Sequence, residues 1–401
     1  MAFHSGRFED LQCHIIRRSR RFVGRRTSVS TVVSRFAMNV ISLFSGAGGL
    51  DLGLDAAGFK TRFAIEWDED CRRTLALNRP SWNATDLHGG DIREFTAPEI
   101  LRQSGLEIGE VDVVAGGPPC QSFSNIGRRG GIDDERGSLV YSYIRLVKGL
   151  QPKFFIFENV QGILQHPDAL AALSSALDKN YRIEMRLLDA ADFGAPQHRK
   201  RVIIIGRLGQ APVFPEQTHS DPKALRLNTA PWISAGEALA MIPKNVLARS
   251  DNYRMNHSAE MEHRMSLIAV GKNFHSLPMN MRPNCWKNGL HKGADTFGRL
   301  DPTKPSVTIR CSGFNPTKGR YIHPFEDRGL STAEMAAIQT FPSDYRFVGT
   351  IGSVGRQIGN AVPPTLGEHI GKAIAAQIGV GRGRKISALI SAKLSATMQA
   401  E

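Results

Sequence analysis

The sequence predicts an α/β protein in which a doubly wound α/β domain is accompanied by a small, irregular second domain. Two observations lead to this fold class. Short apolar runs alternate with segments of helical periodicity over the first half of the chain, and a stretch rich in Pro, Asn, His and Gly without a clear period follows them. The chain has 401 residues, of which 41% are hydrophobic, so it can bury a large core and form two or three domains, or one large domain with a substantial insertion.

Six apolar runs are expected to form strands, because near-continuous hydrophobic strands are typical of a sheet that is covered on both faces. The runs are residues 39–45, 61–68, 111–117, 153–160, 182–190 and 200–208. Helical periodicity predicts helices at residues 139–150, 168–180, 331–342 and 363–378. Ser331 and Glu334 have the spacing of a capping box. Residues 356–364, "RQIGNAVPP", are expected to form a loop that leads into the last helix.

The net charge of +13 is unevenly distributed along the chain. Residues 211–325 carry +7 and residues 1–37 carry +6, whereas residues 38–210 carry −2 and residues 326–401 carry +2. A basic internal segment indicates a polyanionic partner such as nucleic acid, although a basic solvated surface would show the same charge.

Residues 1–37 differ in composition from the rest of the chain, with eight arginines against two acids. They fit a disordered basic tail, an organelle transit peptide or codons read upstream of a start at Met38. The third interpretation is favoured, because a strand signal begins at Asn39. A chain that starts at Met38 is therefore expected to fold and to remain active.

The five cysteines include no C-x-x-C pair, which argues against a zinc ribbon or a redox dithiol and predicts no metal. A sparse, odd number of cysteines suits the reducing cytoplasm. No apolar run approaches the roughly 20 residues of a membrane span. These features predict a cytoplasmic protein that does not enter a membrane.

The ends of the first two strands carry residues that suit an adenosine-bearing cofactor, because ligands of open α/β sheets bind beyond the carboxyl ends of the strands. Glycines there let the backbone approach a ligand, and an acid about twenty residues later commonly binds ribose hydroxyls. Trp67 taken alone is better explained by core packing. The candidates are Phe44, Gly46, Gly48, Glu66, Trp67, Asp91 and Ile92.

The ends of the next two strands carry a thiol and a carboxylate. Cys120 follows two prolines in "GGPPCQSFS", and Glu158 ends the apolar run of "KFFIFENV". A carboxylate in that position is costly unless it has a partner or a task. Arg199 and Arg201 enter the sixth strand two residues apart, which puts both on one face, where they could hold the carboxylate charged or contact a substrate.

Together these motifs resemble the cytosine-C5 DNA methyltransferases of bacterial modification systems. The matching segments occur in the family's order and are "LFSGAGGLDLG", "IEWD", "GDI", "GGPPCQSFS", "FENV", "QHRKRVIIIG", "RGLSTAEMAAIQTFP" and "QIGNAVPP". The most specific combination is "PPCQSFS" followed by "ENV" and then by Q-x-R-x-R. The resemblance covers most of the chain but not residues 1–37, and it covers residues 211–325 only weakly.

The resemblance implies a Rossmann-like domain that binds S-adenosylmethionine and a small target-recognition domain, with duplex DNA in the cleft between them. Cys120 would be the nucleophile, Glu158 would contact the cytosine ring, and Arg199 and Arg201 would support Glu158. The cofactor would contact the candidates above together with Pro119, Asn360 and Val362. Residues 124–138 would close over DNA as a lid, although they also fit an ordinary surface loop.

The implied organisation is a basic extension, a catalytic domain, a recognition domain, a C-terminal part that returns to the catalytic domain, and a flexible tail. These are residues 1–37, 38–210, 211–325, 326–378 and 379–401.

A monomer in a restriction-modification system is expected. Whether a partner endonuclease exists, and which DNA sequence is read, stay open. Arg299 and Asn284 are expected to position a phosphate or to face solvent rather than to read a base.

Two other functions compete with DNA methylation. An RNA cytosine methyltransferase could use the same scaffold, but a basic segment of about 115 residues favours a reader of duplex DNA. A catalytically inactive nucleic-acid-binding protein is disfavoured because Cys120, Glu158, Arg199 and Arg201 are all present.

Overall fold

A six-stranded sheet forms the centre of the protein. The computed structural model describes residues 38–82, 87–119, 139–287 and 295–379. The strand order is β2-β1-β3-β4-β6-β5. The strands are β1 Met38–Leu43, β2 Phe59–Ile65, β3 Val111–Gly116, β4 Phe154–Val160, β5 Tyr181–Asp189 and β6 Lys200–Leu208. All six apolar runs are therefore confirmed as strands.

The first four strands are parallel, whereas β6 runs antiparallel to both β4 and β5. The antiparallel pair follows from the short connection between β5 and β6, residues 190–199, since a parallel crossover needs a dozen or more residues. The carboxyl ends of β1 to β5 and the amino end of β6 consequently meet at one edge of the sheet, called here the upper edge.

Helices cover both faces of the sheet, which confirms the doubly wound α/β class. On one face Ile100, Val140 and Leu173 belong to a single apolar core, and on the other Leu50 and Leu366 belong to a second. The helices are α1 Gly49–Ala56, α2 Glu69–Asn78, α3 Ala97–Ser104, α4 Leu139–Leu150, α5 Pro167–Leu177, α6 Ala235–Ala240, α7 Lys244–Leu247, α8 Ala259–Ser266, α9 Asn284–Lys287, α10 Thr332–Ile338, α11 Ile351–Asn360 and α12, residues 364–379.

The segment before the last helix is not the loop that was expected. Arg356 to Asn360 form the end of α11, and only residues 361–363 connect α11 to α12. Thr350 caps α11 by accepting a hydrogen bond from the Ser353 backbone N–H, and Val354 and Ile358 are buried on its inner face. Tertiary burial has overridden the weak helix propensity of the glycines. The capping box of α10, in contrast, is confirmed at Ser331 and Glu334.

Residues 211–325 are irregular, as expected; their described part has four short α-helices, α6 to α9, and the two-residue strands β7 His219–Ser220 and β8 Ala230–Pro231. Their final part packs on α10 and α11 through Leu300, Ile309 and Tyr321. The exact domain boundaries stay a prediction. Among the described residues, no helix is long and apolar enough to cross a membrane.

Arg299 does not have the surface role that was expected. Its side chain is 5% exposed and donates to the carbonyl oxygens of Ile268, Met265, His323 and Glu326. The carboxylate of Asp327 completes the set. A guanidinium has five N–H donors, so one buried arginine can hold several loops together. Arg299 is a structural residue of this region.

Candidate active site

The ends of β3 and β4 place a glycine loop directly against a buried carboxylate. Arg201 Nε lies 2.9 Å from Glu158 Oε1, and both side chains are largely buried. A Cβ at Gly117 would lie 2.6 Å from Glu158 Oε2, so a side chain there would displace the carboxylate from its present position. Asn159 Nδ2 donates to the carbonyl oxygen of Pro118 over 2.9 Å. These contacts fix the loop up to Pro119; Cys120 and residues 124–138 lie outside the described residues.

Opposing effects set the protonation of Glu158. Burial raises the pKa of the Glu158 carboxyl, while the positive charges of Arg201 and Arg199 and the hydrogen bond from Arg201 lower it. Burial is the largest of these effects, so the proton is held more tightly than by an exposed glutamate. A carboxyl group in this state can donate a hydrogen bond at a pH closer to neutral than an ordinary glutamate could.

Arg199 is fully buried and binds backbone rather than a carboxylate. Its Nη1 donates to Ile309 O over 2.9 Å and its Nη2 to Gly359 O over 2.7 Å. Burial, together with the neighbouring charge of Arg201, lowers the pKa of Arg199 to about 9. Arg199 therefore ties the start of β6 to the final part of residues 211–325 and to the end of α11, and it reaches Glu158 only through its charge.

Two buried glutamines, to which the motif analysis gave no role, extend this connection. Gln197 Nε2 donates to Ile338 O over 3.0 Å and to the side-chain oxygen of Gln339, and Gln197 Oε1 accepts from the Ile309 N–H. Gln339 Nε2 in turn donates to the carbonyl oxygens of Ile358 and Ala361. Both glutamines stand inside segments that were quoted as motifs, so their presence was visible, but their partners are remote in sequence.

The ends of β3 and β4, with the Glu158–Arg201 pair, form one corner of the upper edge. The ends of β1 and β2 form a second corner. Glu66 Oε2 accepts from the Gly46 N–H over 2.6 Å, and Glu66 Oε1 accepts from the Asp68 N–H over 2.8 Å. Burial raises the pKa of Glu66, and these two hydrogen bonds oppose the rise. Each carboxylate oxygen has two acceptor positions, so Glu66 can still accept from two hydroxyl groups.

The surroundings of Glu66 leave room for a flat ligand. The Trp67 side chain is 65% exposed, which is unusual for a tryptophan. Nothing described lies within 4 Å of the position that a Cβ would take at Gly46. Phe44, Gly46 and Gly48 all have positive φ, and for Phe44 this is a strained conformation of the kind that clusters at functional sites. An apolar ring beside a ribose-binding carboxylate suits an adenosine group, so these residues fit S-adenosylmethionine.

Asp91 and Ile92 lie at the same corner but are already engaged. Arg93 Nη2 lies 2.5 Å from Asp91 Oδ2, and this hydrogen bond lowers the pKa of Asp91. The Ile92 side chain is 3% exposed and belongs to the core under the sheet. Contact of these two residues with a cofactor stays a prediction.

Asn360 and Val362 return from the far end of the chain to α1 and its surroundings. The carbonyl oxygen of Val362 would lie 2.3 Å from a Cβ at Gly49, the first residue of α1, which shows how closely the two segments approach. Asn360 is exposed, and its Oδ1 accepts from Cys311 Sγ over 3.1 Å. The structure thus brings Val362 to the glycine loop after β1, whereas Asn360 has its described side-chain contact with Cys311.

This fold, with its two corners on one sheet edge, defines the class of Rossmann-like, S-adenosylmethionine-dependent methyltransferases. The chain matches the family model of C-5 cytosine-specific DNA methylase over residues 38–376. It belongs to that family and is a DNA (cytosine-5-)-methyltransferase, which confirms the resemblance found in the sequence.

Curated relatives and solved structures agree with the family. The chain is 33% identical over 340 residues to the Type II methyltransferase M1.HphI of Haemophilus parahaemolyticus, covering 83% of this chain and 85% of that one. It is 35% identical over 331 residues to M.NgoFVII of Neisseria gonorrhoeae, covering 81% and 83%. A candidate DNA modification methyltransferase from an Escherichia coli prophage has the same fold, with a TM-score of 0.63, 24% identity and coverage of 86% and 100%.

Proposed function

We propose that this enzyme methylates a cytosine flipped out of a specific duplex DNA sequence, with S-adenosylmethionine as the donor and Cys120 as the nucleophile. The observation that carries the proposal is the position of Gly117 and Pro118, which come shortly before Cys120 in the sequence. Gly117 lies against Glu158, which is paired with Arg201, and Pro118 accepts a hydrogen bond from Asn159. A restriction-modification role is supported by the Type II methyltransferases among the relatives.

The chemistry needs both groups because C5 of cytosine is too weak a nucleophile to accept a methyl group unaided. Addition of the Cys120 thiolate to C6 moves electron density to C5. Glu158, as acid or hydrogen-bond donor at N3, would stabilise this addition, and its raised pKa supports that role. C5 would then take the methyl group that the donor supplies. Loss of the C5 proton, elimination of the Cys120 thiolate and return of the N3 proton to Glu158 would restore the aromatic ring.

The remaining residues hold the reactants. S-adenosylmethionine, when bound, supplies an electrophilic methyl group; Glu66 would accept from its ribose hydroxyls, and Trp67 would cover its adenine ring. Arg201 would keep the Glu158 side chain in place, and Arg199 would keep the start of β6 in register with the region that meets DNA. Base flipping costs a few kcal/mol, which contacts with residues 211–325 would offset. The enzyme would act as a monomer.

A covalent trapping experiment tests this mechanism. The target sequence is first mapped by sequencing methylated cytosines in DNA from cells that express the chain. A duplex with 5-fluorocytosine at the target should then trap a protein–DNA adduct that survives denaturation, because fluorine cannot leave C5 as a proton does. Cys120→Ser should form no adduct, since a serine hydroxyl is a far poorer nucleophile. Glu158→Gln should trap at least a hundredfold more slowly and still bind S-adenosylmethionine.

Cys311→Ser is the matched control, because the Cys311 thiol donates to Asn360, a predicted cofactor residue, and has no proposed part in the addition. It should trap at the wild-type rate. An adduct that persists in Cys120→Ser would contradict the role of this thiol. An adduct that forms on transfer RNA and not on DNA would contradict the substrate.

A further inference from the structure

Two segments that are separated in the sequence meet at the corner formed by the ends of β1 and β2, called here the cofactor corner. The first is Glu66 with Trp67, and the second is residues 88–92, called here the 88–92 loop, which holds two further predicted cofactor residues. A Cβ at Gly90 would lie 1.9 Å from the Glu66 carbonyl oxygen, so the loop backbone touches the chain directly after β2. The relative position of the two segments therefore sets the shape of the proposed adenosine site.

The 88–92 loop starts in a conformation that needs support. His88, Gly89 and Gly90 have φ values of 52°, 57° and 78°, all in the left-handed region. Glycine adopts this region readily, but for His88 it is a strained conformation, which persists only where the surrounding structure imposes it. Contacts from outside the loop must therefore keep it on this course.

The Arg72 side chain supplies such a contact to both segments. Arg72 is half-buried on α2, and its Nη1 donates to Trp67 O over 2.5 Å and to Gly89 O over 3.1 Å. The same nitrogen donates to Glu66 O over 3.1 Å. An Nη group has two hydrogens, so one of them is shared between two carbonyl oxygens. Arg72 thus links the chain after β2 to the 88–92 loop through a single charged group.

The helix that carries Arg72 is itself fixed at the cofactor corner. α2 starts shortly after Trp67, and the side chain of its N-cap, Asp68, accepts from the Cys71 N–H over 3.0 Å. The Asp68 N–H in turn donates over 2.8 Å to Oε1 of Glu66, the carboxylate that is proposed to bind the ribose. The Arg72 guanidinium therefore extends from a helix start that is hydrogen-bonded to the proposed ribose-binding group.

The next residue along α2 shows a different environment. The Arg73 side chain is 60% exposed, and its described contact is a pair with Asp70 at 3.4 Å, three residues away on the same helix. Such an exposed pair contributes little to stability. Two neighbouring arginines of one helix therefore differ, because Arg73 faces solvent while Arg72 lies between the two segments of the cofactor corner.

We propose that Arg72 is a positioning residue for S-adenosylmethionine, which holds the 88–92 loop against Trp67 so that both segments face one adenosine group. It acts through the loop rather than on the reacting atoms. Without its donors the loop samples other conformations, and the cofactor binds only those molecules in which the loop is in place. The apparent dissociation constant rises in inverse proportion to that fraction. The inference rests on the proposed cofactor contacts of Glu66 and Trp67.

Ligand binding to variants of the full chain tests the proposal. Arg72→Met removes every donor, and Arg72→Lys restores one charged donor group. Calorimetry measures the affinity for S-adenosylhomocysteine, which has no methyl group to transfer, and for 5′-methylthioadenosine, which lacks the amino-acid part. Both should bind about tenfold more weakly to Arg72→Met, by the same factor, and only about threefold more weakly to Arg72→Lys. Arg73→Met, the matched control, should bind both ligands as the wild type does.

Steady-state kinetics separates this role from general support of the fold. In Arg72→Met the KM for S-adenosylmethionine should rise about tenfold while kcat stays within about twofold, because the occupied site is unchanged. Unchanged affinity, a loss in kcat at unchanged KM, or weaker binding of S-adenosylhomocysteine alone would overturn the proposal. If Arg72→Met does not fold, the affinities and kcat of Arg72→Lys decide in the same way. A wild-type chain that binds neither ligand would contradict the proposed cofactor itself, and this inference with it.

Discussion

Two buried carboxyl groups near the upper edge differ in what compensates their burial. Glu158 has Arg201 at 2.9 Å and the charge of Arg199 nearby, and both cations oppose the rise in its pKa that burial causes. Asp51, in the first turn of α1, is 2% exposed, and its Oδ1 has no hydrogen-bond partner among the described atoms. Burial without a cation favours the neutral form, and the pKa of Asp51 rises from 3.8 to about 6, although a hydrogen bond with Ser42 opposes the rise.

Asp51 should therefore make the folded state less stable as the pH rises. Because its folded pKa lies above the unfolded value, its stabilising contribution is present below about pH 4 and is lost as the pH passes through about 6. A shift of about two units corresponds to roughly 3 kcal/mol. Relative to the wild type, Asp51→Asn should gain about that much free energy of unfolding between pH 4 and pH 7.5, measured by urea titration.

Asp55→Asn serves as the control, because Asp55 is an exposed residue of the same helix. Its free-energy difference from the wild type should stay nearly constant over the same pH range. A constant difference for Asp51→Asn as well would show that Asp51 is not held neutral in the fold.

At the scale of elements, α11 depends on glycines that let backbones touch. A Cβ at Gly359 would lie 2.3 Å from the backbone nitrogen of Cys311, and one at Gly355 would lie 2.3 Å from the Cys311 carbonyl oxygen. The carbonyl oxygen of Gly359 also receives the hydrogen bond from Arg199. The helix thus packs on the Cys311 segment at the distance that the buried arginine requires.

Gly359→Ala should consequently destabilise the protein by about 2–3 kcal/mol, because backbone atoms on both sides must shift to admit a methyl group. The matched control is Gly352→Ala in the same helix, where the nearest atom to the new Cβ is Thr350 Oγ1 at 3.9 Å. That change should stabilise the protein by up to about 1 kcal/mol through helix propensity. Thermal unfolding of both variants checks the prediction, and equal melting temperatures would contradict it.

At the scale of the whole molecule, charge separates the region that is proposed to meet DNA from the sheet domain. Residues 211–325 carry +7 and residues 38–210 carry −2. Exposed lysines occur in both regions. In residues 38–210, Lys60 lies near the start of β2, Lys148 near the end of α4 and Lys179 near the start of β5. These positions belong to the edge of the sheet opposite the upper edge.

Replacing Lys223, Lys244 and Lys272, three exposed residues of the basic region, by Gln should weaken DNA binding. The binding constant K falls as salt rises, and each phosphate contact adds about 0.9 to the steepness of log K against log salt concentration. Losing three contacts should make this dependence shallower by up to about 3. Affinity for S-adenosylmethionine should not change. The control replaces Lys60, Lys148 and Lys179 by Gln, which gives the same net charge as the first triple variant, and it should keep the wild-type slope. Equal slopes for the two triple variants would show that binding follows net charge alone.

The sequence by itself determined the class of fold, the family and the candidate residues. Apolar runs show buried strands directly, because a strand covered on both faces has few polar positions, and all six were found where expected. Strand ends then give the candidate residues, since side chains that follow parallel strands meet at one edge. Glu66 and Glu158 both lie at the upper edge for this reason, while the role of Cys120 rests on its motif and stays a proposal.

Only the tertiary structure decided which groups these residues contact. Arg199 binds carbonyl oxygens 110 and 160 residues further along the chain, and Gly117 lies against the Glu158 carboxylate. Arg299 is the clearest case, since an arginine in a basic, irregular segment gives no sign that it will be buried among carbonyl groups. The physical reason is that local patterns record the environment of neighbouring residues, whereas contacts between distant segments have no period in the sequence and depend on how the packed elements meet.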